Sequence, residues 1–188
     1  MSSLKYVTTR SNGLTPIAIF AALILALLPM ALADSLVRRA VIIDGNMLAI
    51  NGKHVRLRGI DAPEPDQFCR NQASEPYRCG RKAAEGVDAL IARRPVDCVE
   101  ADRDQDKRRL VVCNVAGVDI AEWLVKNGLA IDAASDGKGA YAAAQSDAKR
   151  EQRGIWSGGF VEPWRYRRCR RSGGTIAGCS DQQDDSAL

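Results

Sequence analysis

The chain has 188 residues, with 27 Lys and Arg against 23 Asp and Glu, six cysteines and a formal charge of +4. Two of the basic residues, Lys5 and Arg10, lie in a leader with no acidic residue, so removing it lowers the charge by two to +2. That balance excludes a broadly basic nucleic-acid-coating protein, and the remaining length suits one domain with one core.

Lys5 and Arg10 precede an apolar run from Ile17 to Ala33 that ends Ala31-Leu32-Ala33, a small-x-small cleavage site. Residues 1–33 therefore read as a secretory signal peptide. A membrane anchor is the alternative, but the run is near the lower length limit for spanning and contains Pro29. No second run of that kind follows. The expected product is secreted or periplasmic, monomeric, and without stable membrane association after cleavage.

Residues 36–43 (LVRRAVII) read as a strand. Met47 to Ile50, Asn51-Gly52 and Lys53 to Ile60 read as a hairpin, since Asn-Gly accepts the positive φ values of a type I′ turn. Val55 and Leu57 alternate with Arg56 and Arg58, which puts apolar groups on one face and two guanidiniums on the other. Pro63 and Pro65 end the strand by removing ladder donors. Residues 81–94 read as a helix with Ala84, Val87, Leu90 and Ile91 on one side, stopped by Pro95. Val96 to Ala101 and Arg109 to Val115 form a second antiparallel pair around the polar turn DRDQDKR. Asp119 with Glu122 caps a helix through Lys126, and Gly128 stops it. A third helix is expected from about Gly139 to Arg153. Beyond Trp156 the chain is expected to thin out into a basic cluster, RYRRCRR, a Ser-Gly-Gly linker and a disordered acidic tail.

Three strands, a helix, two strands and two helices suit an α+β, mainly β fold: a five-stranded antiparallel OB-type barrel with three helices. The domain is expected over 34–160, with a basic then acidic tail over 161–188. All six cysteines follow the leader, which in an oxidising compartment reads as a disulfide framework. Of the roughly 15 possible pairings, the expected set closes short loops: Cys69–Cys79, Cys98–Cys113 and Cys169–Cys179. Each would contribute about 3 kcal/mol if unstrained. A zinc site has little support, because no Cys-x-x-Cys occurs and His54 is the only histidine.

One window, Ile43 to Glu64, gathers the chemistry. Asp44, Asp61 and Glu64 are oxygen donors of the kind hard cations prefer, and Arg56 precedes Asp61 on the polar strand face. Such a set can hold a metal ion and a phosphate, or can be a surface salt-bridge cluster closing a barrel.

The run Arg56-Leu57-Arg58-Gly59-Ile60-Asp61-Ala62-Pro63-Glu64, after Asp44-Gly45, resembles the signature of the thermonuclease (staphylococcal nuclease-like) family. Gly128-Leu129-Ala130 and Gly154-Ile155-Trp156 match later blocks, and the resemblance covers about Val37 to Trp156. It implies a calcium-dependent phosphodiesterase acting on DNA or RNA. It makes Arg56 and Arg108 the phosphate clamps, Glu64 the general base, Asp61 a calcium ligand, and Asp44 and Asn46 further members of that site.

The departures weaken this. Asn46 replaces the family's first calcium carboxylate, so the site loses a negative charge. Met47 replaces a threonine. Asp106 and Lys107 stand where the family has tyrosine and glycine before Arg108. Ile131 to Asp136 contains two carboxylates and no tyrosine of the kind that stacks on a base, so nucleic-acid binding is expected to be weak. His54 is read as an ordinary hairpin residue, and Trp123 and Trp156 as core. Trp164 and Tyr166, interleaved with arginines, are read either as a strand-binding cluster or as a solvated basic tail. Two functions are carried: a secreted nuclease of reduced activity, and a non-catalytic exported module, for example in exopolysaccharide (succinoglycan) biosynthesis.

Overall fold

In the computed structural model, which describes residues 39–181, alternation along the strands sets the sheet. β1 (Ala40–Ile42), β2 (Met47–Ile50) and β3 (Lys53–Leu57) form an antiparallel meander, with Ala40 opposite Ile50 and Met47 opposite Arg56. Asn51 and Gly52 take φ values of 54° and 72°, the positive pair that a type I′ turn requires. Val55 and Leu57 are buried, while Arg56 and Arg58 sit half-buried on the opposite face. His54 is an exposed hairpin residue opposite Ala49.

β7 (Asp97–Arg103) and β8 (Arg109–Val115) form the second antiparallel pair. β8 lies beside β3 in parallel, with Val55 opposite Arg109 and Leu57 opposite Val111. The sheet is thus not wholly antiparallel as expected. The chain leaves β3, crosses through a helix and β7, and returns in the same direction as β3. The order β1-β2-β3-β8-β7 is a half-barrel of OB type, extended by β9 (Val118–Asp119) on β8.

Helix α1 (Cys79–Ile91) buries Ala83, Val87 and Ile91, an i, i+4, i+8 stripe one residue out of step with the expected Ala84. Helix α2 (Ile120–Lys126) is capped by Asp119, whose side chain accepts from the amides of Ala121 (2.8 Å) and Glu122 (3.2 Å). Both helices pack on Leu48, Leu57, Val111 and Val115 to make the core. Each such side chain stabilises the fold by about 1.5–3 kcal/mol. Trp123 packs against this core, as expected, and Trp156 meets Phe160 edge to face at 4.9 Å.

The remaining elements are short: β4 (Ile60–Asp61), β5 (Cys69–Arg70), β6 (Pro76–Tyr77), β10 (Ile131–Asp132) and α3 (Ala134–Gly137). Helix α4 (Ala142–Arg150) is the third predicted helix, followed by a 3-10 turn over Gly154–Ser157. The chain does not thin out there. α5 (Pro163–Arg171) and α6 (Ile176–Ser180) follow, joined by a disulfide, with Val161, Tyr166 and Cys179 forming a small core of their own. Six helices rather than three are thus present among the described residues, because an arginine-rich sequence masks the narrow apolar stripe of α5.

All three expected disulfides are present: Cys69–Cys79, Cys98–Cys113 and Cys169–Cys179. Cys98 and Cys113 are direct cross-strand partners, with a Cα–Cα distance of 4.1 Å. Three disulfides point to an oxidising compartment. No helix among the described residues is long and apolar enough to cross a membrane. The expected signal peptide, the first residues of the predicted 36–43 strand and nearly all of the acidic tail lie outside the described residues.

Candidate active site

The polar face of β3 and the turn after it carry the site. Arg56 projects from β3, and Asp61 from β4, which pairs with β10 through Ile131 opposite Asp61. That pairing brings α3 against the β3–β4 turn. Gly137 and Gly59 meet so closely that a Cβ on Gly137 would lie 2.6 Å from the Gly59 Cα. The contact delivers Asp136 to Arg56, whose guanidinium holds it at 3.0 Å and Asp61 at 3.5 Å.

Glu64 is set by its backbone. The start of α1 abuts residues 63–64, where a Cβ on Gly80 would fall 1.7 Å from the Glu64 carbonyl oxygen. Gln67, wholly buried, accepts from the Glu64 amide at 3.1 Å and donates to the Val161 carbonyl at 2.6 Å. The loop that carries Glu64 is thereby tied to the root of α5. The Phe68 amide donates to Ser180 Oγ (3.1 Å), and Arg70 pairs with Asp181 (2.9 Å).

Arg167 of α5 reaches into the carboxylates. Its guanidinium donates to both Asp61 oxygens (2.9 and 2.8 Å) and to Glu64 Oε1 (2.8 Å). Burial draws the Arg167 pKa down, but the hydrogen bonds and charges of Asp61 and Glu64 outweigh it and raise it above the ordinary value. Burial raises the Glu64 carboxyl, and Arg167 pulls it part of the way back. Burial likewise raises Asp44, against hydrogen bonds from the amides of Asn46 and Met47.

Arg108 sits at the end of the β7–β8 turn. Lys107, where the family glycine was expected, adopts φ 59°, so the loop keeps a left-handed residue without glycine. The Asp104 side chain closes this turn by accepting from the amides of Asp106 (3.0 Å) and Arg108 (2.8 Å). The Arg108 guanidinium pairs with Asp104 (2.6 Å) and Asp106 (2.9 Å).

Arg56, Asp61, Arg108 and Arg167 line one cleft of about 730 Å³. Glu64 does not line it; it sits across Arg167, in an adjoining cavity of about 240 Å³. The expected set is therefore split: the two clamp arginines and Asp61 share a cleft, and the candidate base joins them through Arg167. Arg58 and Trp164 also line this cleft, and Trp164 is 48% exposed. Arg58 Nε is buried with no hydrogen-bond partner among the described residues. Tyr166, which shares the basic cluster with Trp164, is buried instead.

The family implies calcium, and the residues present do not fit it in this arrangement. Both Asp61 oxygens accept from Arg167, as does Glu64 Oε1, and Asp44 Oδ1 closes its own turn through the amides of Asn46 (2.8 Å) and Met47 (2.7 Å). Asn46 is buried and brings an amide instead of a charge. No three acidic, histidine or cysteine side chains among the described residues form a group that would hold a metal ion.

Arg167 and Gln67 were not assigned to the site from sequence; Asp136 was singled out there as an added carboxylate and Trp164 within the aromatic-arginine cluster, which does not say which arginine turns inward.

Residues 54–158 match the family described as staphylococcal nuclease homologue. The chain is 40% identical over 126 residues to the succinoglycan biosynthesis protein ExoI of Rhizobium meliloti, covering 66% of each chain. It is 34% identical over 122 residues to a probable staphylococcal-like nuclease of Oryza sativa subsp. japonica, covering 63% of this chain and 29% of that one. It is 32% identical over 114 residues to a probable endonuclease of Komagataella phaffii, covering 55% of this chain and 48% of that one. The matched stretches thus span only part of these relatives. Family match, half-barrel order and the arginine–carboxylate cleft agree: the chain belongs to the staphylococcal nuclease homologue family.

Proposed function

We propose that this chain is a secreted or periplasmic phosphodiester hydrolase that acts weakly on single-stranded nucleic acid. The observation that carries the reading is the common cleft of Arg56, Arg108 and Asp61, with the raised carboxyl of Glu64 tied to it through Arg167. Arg56 and Arg108 would hold the non-bridging oxygens and neutralise charge that builds in the transition state. Glu64, the candidate base, would take a proton from the attacking water, and its raised pKa makes it a stronger base than an exposed glutamate. Arg58, which also lines the cleft, offers a further positive charge, and Trp164 a face on which a base can stack.

The guanidiniums are already engaged by carboxylates, so a phosphate has to displace Asp136 from Arg56 and Asp104 or Asp106 from Arg108. Weak binding follows. The oxidised protein, incubated with single-stranded DNA and RNA, is expected to cleave. Glu64→Gln should slow cleavage by about 10²–10⁴-fold. No cleavage by the unaltered protein, or cleavage untouched by Glu64→Gln, removes the reading.

A second reading rests on that same pairing and on the Rhizobium relative's name. An exported module that keeps the half-barrel without hydrolysis would serve exopolysaccharide (succinoglycan) biosynthesis. A deletion strain with unchanged exopolysaccharide yield and composition counts against it.

A further inference from the structure

Two carboxylates of this site, Asp61 and Glu64, meet one guanidinium. Like charges gathered in a half-buried place need a cation. Arg167 is that cation. It forms a two-pronged pair with Asp61, which is nearly fully buried, and a single bond to Glu64.

It is also built in rather than resting there. α5 is held by the Cys169–Cys179 disulfide, by the Gln67–Val161 hydrogen bond and by Tyr166, 1% exposed in its own small core. Asn46 completes the pattern, since a neutral amide stands where a metal site would want a charge.

We propose that Arg167 is the fixed counter-cation of the Asp61–Glu64 pair, supplied by the chain in place of a divalent metal ion and excluding that ion from the site. The inference takes the cleft as the phosphodiester site proposed above. A guanidinium presents planar donors to a phosphate and is never deprotonated near neutral pH, so the site's positive charge does not depend on metal supply.

Calcium titration calorimetry on the oxidised full chain, with no nucleic acid present, tests it apart from any cleavage. The unaltered protein is expected to show no binding heat and no rise in melting temperature up to about 10 mM calcium, beyond the range of weak extracellular sites. Arg167→Gln is expected to gain a site with a Kd of about 10⁻⁴–10⁻³ M and a calcium-dependent rise in melting temperature. Should Arg167→Gln fail to fold, Arg167→Lys, which keeps a charge but loses the two-pronged pairing, is expected to bind calcium more weakly than that but detectably. Calcium binding by the unaltered protein in that same range overturns the proposal. So does a folded Arg167→Gln that binds no calcium, because the arginine would then not be what keeps the ion out. Loss of cleavage with this calcium pattern intact would count against the hydrolase reading and leave the role of Arg167 standing.

Discussion

Glu64 is where the site's chemistry becomes measurable. Burial raises its carboxyl above the ordinary 4.5, and Arg167 opposes that rise. A base must be deprotonated, so the acid limb of the rate profile should fall above 4.5. Arg167→Gln removes the opposing charge, so the limb should move to higher pH, while Glu64→Gln should erase it. Stability has its own sign. A raised folded pKa means the folded state holds this proton more tightly, so the contribution is fully present below 4.5 and is lost as pH rises through the folded value. Profiles of kcat/KM against pH for the three proteins check the limb, and a limb unmoved in Arg167→Gln would refute the coupling. Trp164 gives a second residue-scale prediction. Trp164→Ala should weaken single-strand binding by about 1–3 kcal/mol and change the melting temperature little, since about half of the side chain is exposed. Fluorescence anisotropy with a labelled oligonucleotide reads the first, and a thermal melt the second. Arg56, Asp61 and Arg108 could be named from sequence because of the resemblance to the nuclease family, which places each of them in a short block. Arg167 could not, because its partner lies 106 residues away and a helix rich in arginine does not announce which one reaches across to the carboxylates.

At the scale of elements, the β7–β8 turn and helix α5 decide where the arginines point. Lys107 at φ 59° carries left-handed strain of about 1–2 kcal/mol. Glycine there relieves it but gives back about 0.5–1 kcal/mol in unfolded-state freedom. Lys107→Gly should therefore stabilise the protein by about 0.5–1 kcal/mol in urea titration, with Arg108 still fixed by Asp104. The β7–β8 disulfide and the α5–α6 disulfide separate stability from function. Replacing Cys98 and Cys113 by serine should cost about 2–3 kcal/mol without changing strand binding, because that bond lies within the sheet. Replacing Cys169 and Cys179 should cost a similar amount and also weaken binding, because α5 carries Arg167 and Trp164. Equal binding in both double variants would show that α5 takes no part. Hairpins and helix caps were legible because alternation, Asn-Gly and Asp119 act over a few residues. The parallel β3–β8 pairing was not, since a strand's periodicity gives its faces and says nothing of its neighbour.

For the whole molecule, charge sets how a strand would bind. The formal charge is only +4 over the chain, and two of the cleft's guanidiniums each face two carboxylates: Asp61 and Asp136 on Arg56, Asp104 and Asp106 on Arg108. A lysine or arginine open to solvent gains from releasing the counterions condensed on a phosphate backbone. Here a phosphate first displaces a carboxylate, which lowers affinity and limits the number of contacts to two or three. The logarithm of the binding constant should then fall with the logarithm of salt at a slope of only about −1.5 to −2 for a single strand. Asp136→Asn and Asp106→Asn each remove one of the two carboxylates on a guanidinium, so both should raise affinity, and the double variant should steepen the slope by about 0.7–1.4. Anisotropy titrations across a series of salt concentrations measure all of this. A slope near −5 in the unaltered protein, insensitive to either asparagine, would place the strand on the arginine-rich exterior of α5 and remove the cleft from the account of binding.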